Sequence, residues 1–60
     1  MIRTANDIQL ATAYRFYADA RFTADRLHDE DDTWIYNVRQ RQDGRYVIEV
    51  CDDELFLGYL

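Results

Sequence analysis

Sixty residues bound this chain to one domain, 1–60, with a net charge of −5 and a sequence pI near 4.5. So short a chain buries only about 60% of its unfolded surface, and small domains commonly add disulfides, metals or a second copy. Cys51 is the only cysteine and His28 the only histidine, which excludes an internal disulfide and the four soft ligands of a structural zinc site. What remains is self-association or an unusually apolar core, and a 48% hydrophobic composition with 15% aromatics allows both.

The acidic balance argues against direct binding to nucleic acid, which needs cationic groups to displace counterions, and against anionic membranes; it favours a basic partner surface. No run approaches the ~18 uncharged residues of a membrane span, and no apolar stretch follows Arg3 to form a signal peptide. A lone Cys51 suits a reducing cytoplasm.

In chain order, residues 2–28 contain neither Gly nor Pro. Thr4 followed by Asp7 fits a helix cap, and Leu10, Ala13, Tyr17, Ala20, Ala24 and Leu27 recur every three or four positions. The spacing predicts one long N-terminal helix over residues 5–28, roughly 36 Å at 1.5 Å per residue. At 100° per residue, Ile8, Ala11, Ala18 and Phe22 form a second apolar stripe on that helix. It either sinks with the helix into a curved sheet or meets a second chain as a homodimer interface.

Residues 33–38 and 46–50 are β-branched and aromatic, with Asp43 and Gly44 between them, and predict a hairpin. A two-residue loop would set Arg39 opposite Ile48, mixing polar with apolar on one face. A three-residue loop, 42–44 with Gly44 left-handed in a bulge, pairs Val38 with Ile48 and Tyr36 with Val50. Asn37 then faces Glu49 across the other side, with Arg39 diagonal to it. Trp34, Tyr36, Val38, Ile48 and Val50 are expected to face the helix.

For the tail 55–60 a third antiparallel strand beside 46–51 is preferred. The alternative is a short helix capped by residues 52–54, with Gly58 interrupting it. The expected fold is α+β, a helix on a three-stranded antiparallel meander in the order αβββ.

Seven of the twelve acidic residues fall in two runs, Asp29, Glu30, Asp31 and Asp32, then Asp52, Asp53 and Glu54. Antiparallel pairing brings the start of the first strand beside the end of the second, so both runs are expected at one end of the sheet. Arg39, Arg41 and Arg45 belong at the other. Carboxylates at a helix C-terminus face the negative end of its dipole, at a cost of roughly 0.3–1 kcal/mol each. Such a cluster is either a solubilising turn or a binding surface. As a calcium loop it lacks the glycine and the terminal glutamate.

No chemistry beyond that is legible. The chain has no serine, and its only glycines, Gly44 and Gly58, build no phosphate loop. Acidic neighbours Glu49, Asp52 and Asp53 would raise the Cys51 thiol rather than activate it. No catalytic residue, cofactor or metal ligand is expected.

In length, absence of lysine and the acidic runs at 29–32 and 52–54, the chain resembles the small acidic proteins by which bacteriophages inhibit host defence, including anti-CRISPR proteins. The resemblance implies a non-catalytic inhibitor in the host cytoplasm. Carboxylates would stand in for phosphates on a nucleic-acid-binding surface of a larger complex such as a CRISPR effector. The alternative is a small homodimeric structural or adaptor protein whose acidity serves solubility.

Overall fold

The helix begins at Tyr17, not at residue 5. In the computed structural model, which describes residues 4–60, the chain forms a 3-10 turn (Ile8–Leu10), helix α1 (Tyr17–Glu30) and strands β1 (Ile35–Gln40), β2 (Tyr46–Asp52) and β3 (Leu55–Tyr59). The strands form an antiparallel meander in the order β1-β2-β3 with α1 packed on β1 and β2, an α+β fold. The tail is a strand, not a short helix.

The long helix fails for a geometric reason. Strands of 5–7 residues are roughly 17–24 Å long, and the whole molecule extends 29 Å along its longest axis. A helix of roughly 36 Å would project beyond any apolar surface able to cover it. The leading residues instead satisfy the backbone of the sheet edge. Ala5 and Tyr59 exchange N–H···O bonds of 2.7 and 2.7 Å, the Thr12 N–H donates to the Leu60 carbonyl at 2.7 Å, and Tyr14 and Tyr46 exchange bonds of 2.7 and 2.8 Å. β3 is too short to pair the first residues of β2, and this segment takes its place. Asp7, expected in the first turn of a helix capped by Thr4, is instead itself the cap of the 3-10 turn, accepting from the Gln9 N–H at 2.9 Å.

Ala20 and Ala24 of the expected helical face are buried and Leu27 packs on the core, whereas Leu10 and Tyr17 are exposed. The second stripe does not exist as one face. Ile8 lies in the 3-10 turn and Ala11, its C-cap, is buried; only Ala18 and Phe22 sit on α1, both exposed.

The hairpin has the expected register. Val38 faces Ile48, Tyr36 faces Val50 and Asn37 faces Glu49. The Gly44 N–H donates to the Arg41 carbonyl at 3.1 Å and Gly44 has φ +87°, the left-handed conformation such a bulged turn requires. Ala24, Tyr36, Ile48 and Val50 form the core, with Trp34, Val38, Leu27, Leu57, Tyr14 and Leu60 against it. Between β2 and β3 the register shifts, with Val50 opposite Gly58 but Cys51 opposite Phe56. Leu57 is the extra residue of this bulge and packs on the core.

Candidate functional site: an acidic pole

Ile35 pairs with Cys51, so the link into β1 and the turn out of β2 lie side by side. That places Asp29, Glu30, Asp31 and Asp32 at the same end of the sheet as Asp52, Asp53 and Glu54, and all seven are exposed. α1 runs two residues further than its periodicity predicts, so Asp29 and Glu30 occupy its last turn and Asp31 is its C-cap. Asp53 holds the tight β2–β3 turn at φ +58°, a conformation aspartate adopts more readily than most residues.

These acids are not equivalent. Arg26 holds Glu30 at 3.3 Å one helical turn away, an exposed pair that contributes little. The Asp31 carboxylate accepts the Thr33 N–H at 3.0 Å and turns the chain from helix to strand. Hydrogen bonds from Thr33, side chain first and then backbone, hold Asp31 below its ordinary carboxylate range. Asp31 therefore has a structural duty, which the sequence run alone does not reveal. Among the described residues no three acidic, histidine or cysteine side chains converge to hold a metal ion, so the seven acids form a spread patch.

The opposite end is less basic than the arginine cluster implies. Arg39 grips Glu49 with two nitrogens, at 3.1 and 3.4 Å, and Arg41 pairs with Asp43. Three arginines there face two carboxylates, leaving a small positive excess. Burial pushes the Glu49 carboxyl up, but hydrogen bonds from Arg39 and Cys51 outweigh it and leave it lowered. Asp43 is lowered by Arg41 and by the Arg45 N–H. Burial, then Glu49, push the Cys51 thiol up, which makes it a poor nucleophile at neutral pH.

No protein-family model, no curated protein and no solved structure matches this chain. Among the described residues no helix is long and apolar enough to cross a membrane.

Two expected results arise from this geometry. Asp31, Asp43 and Glu49 all have folded pKa values below their ordinary ones, so the stability they contribute is present above the unfolded carboxylate range near pH ~4 and is lost as pH falls through the folded values. Thermal melts are expected to hold steady from neutrality to about pH 5 and to drop below about pH 4. A melting temperature that rises on acidification would contradict this.

The second result concerns Tyr36, whose hydroxyl is buried without a hydrogen-bond partner among the described residues. Burial, and then the Asp31 charge, push this phenol up. An unpaired buried hydroxyl costs about 1–3 kcal/mol, so Tyr36→Phe is expected to raise the unfolding free energy by about 1 kcal/mol in urea titrations. Destabilisation would show that the hydroxyl has a partner in solution.

Proposed function

We propose that this protein is a non-catalytic, protein-binding inhibitor whose acidic pole occupies a basic nucleic-acid-binding surface of a larger complex, such as a CRISPR effector, in the host cytoplasm. One observation carries the reading. Pairing of Ile35 with Cys51 gathers two separate acidic runs into one exposed patch of seven carboxylates. Asp29 and Glu30 also sit in the last turn of α1, at the negative end of its dipole, where a carboxylate is disfavoured.

The test is competition. A basic partner captured by the wild-type chain is to be released by duplex DNA or by RNA, and its own nucleic-acid binding is to be blocked by the wild-type chain but not by a variant with neutral residues at 29–32. A partner held equally well in the presence of excess nucleic acid would overturn the reading.

A further inference from the structure

The two edges of the sheet are treated differently. The β3 side is covered by the leading segment through Ala5, Thr12 and Tyr14. β1, on the other side, has β2 as its only strand neighbour among the described residues. Exposed strand edges are usually guarded by charged side chains, proline, a bulge or a covering element, and the one charged side chain of β1, Arg39, is held by Glu49 of its neighbour β2. The chain has no proline and no lysine, and β1 pairs with β2 without a bulge.

The hydrogen-bond pattern identifies which groups this edge presents. In β2, Tyr46 and Ile48 bond towards the β3 side, through the Tyr14 and Leu60 backbones. Alternation then directs the odd-numbered residues of β2 towards β1, and their partners Ile35, Asn37 and Arg39 back towards β2. The N–H and C=O groups of Tyr36, Val38 and Gln40 therefore point away from the sheet.

We infer that β1 pairs with β1 of a second copy of this chain, antiparallel and centred on Val38, to make a continuous six-stranded sheet. Centring on Val38 sets Tyr36 opposite Gln40 in both directions and uses every outward group of the strand, about six interchain hydrogen bonds. Centring on Arg39 would set two arginines face to face, and centring on Asn37 would leave Gln40 without a partner in the strand. At the Val38 register Arg39 meets Asn37 of the other copy.

Charge favours the same orientation. Antiparallel pairing lays the turn end of each copy, with Arg45 beside the Arg41–Asp43 pair and a small positive excess, next to the segment holding Asp31 and Asp32 of the other. Parallel pairing would press the two acidic ends together. The contact is isologous and closes as a dimer, because each copy contributes the same edge. Asp52, Asp53 and Glu54 lie across β2 from this edge, so the dimer leaves them open; the inference does not depend on the acidic-pole reading.

The experiment is sedimentation equilibrium from micromolar to millimolar concentration, with hydrogen exchange on the same samples. The wild-type chain is expected to dimerise with rising concentration. The amides of Tyr36, Val38 and Gln40 should then become protected, while those of Asn37 and Arg39 are protected throughout. Gln40→Pro removes one outward N–H per copy without touching the β1–β2 ladder and is expected to weaken the dimer roughly thirtyfold. Asn37→Arg places a cation opposite Glu49 within the chain but opposite Arg39 of the other copy, and is expected to weaken the dimer roughly fivefold while the melting temperature holds. It serves as the test should Gln40→Pro fail to fold. A wild-type monomer at millimolar concentration would overturn the inference, as would a dimer indifferent to both variants or an edge occupied only by a different protein.

Discussion

Converting Asp29, Glu30, Asp31 and Asp32 together to their amides is expected to weaken binding to a captured basic partner about a hundredfold. Exposed ion pairs contribute about 0–1 kcal/mol each, so four lost together approach 3 kcal/mol, while Asp31→Asn alone is expected to cost less than about fivefold. Amides are the informative choice. An asparagine at position 31 keeps an oxygen for the Thr33 N–H, so the turn into β1 survives the loss of charge. Losing the Arg26 pair at Glu30 costs about 0.3–0.5 kcal/mol. Removing two negative charges from the last turn of α1 returns at least as much, at roughly 0.3–1 kcal/mol each. Lost binding with a retained melting temperature distinguishes a functional charge cluster from a solubilising one. Affinity for the partner is to be measured at low and high salt beside thermal melts, and wild-type binding is expected to fall steeply with salt. Salt-insensitive binding by the quadruple variant at wild-type strength would leave these four acids with no part in recognition.

The largest expected loss of stability is at Gly58. Its φ of +148° lies where side-chain-bearing residues are strained, and a Cβ there would come within 2.8 Å of the Ala5 carbonyl oxygen and 2.9 Å of the Thr4 Cβ. Gly58→Ala is expected to destabilise by about 3 kcal/mol, combining backbone strain of about 1–3 kcal/mol with the weakened Ala5–Tyr59 bonds at about 1 kcal/mol each. For a domain whose total stability is roughly 3–9 kcal/mol at 60 residues, that removes a third or more. Gly44 provides the control. It also has positive φ, +87°, but nothing lies within 4 Å of its would-be Cβ, so Gly44→Ala carries the strain without the collision. Urea midpoints of the two variants isolate the close approach, and exchange of the Ala5 and Tyr59 amides shows whether the leading segment detaches. Equal losses at the two glycines would mean the segment contributes nothing to stability.

Much of the sheet was legible in the residues because its determinants are local or nearly so. Asp43 and Gly44 specify a turn, and the face pattern of Tyr36, Val38, Ile48 and Val50 tolerates one register, since a slip by one residue reverses every side chain. Placement of both acidic runs at one end follows from antiparallel pairing alone. Even the failure of the long helix was partly readable, because strands of five to seven residues cannot cover roughly 36 Å. Where the helix would start was not. Residues 4–16 have an acceptable helical pattern, and they leave it because β3 ends before the start of β2 is paired, so Tyr46 and Tyr59 offer backbone partners that no local pattern records. The unpaired Tyr36 hydroxyl and the bulge at Leu57 also depend on contacts between distant segments. Local turn chemistry and side-chain alternation were determined by the sequence itself; which backbone edges are filled and which stay open was decided only when the tertiary structure distributed hydrogen bonds among distant segments.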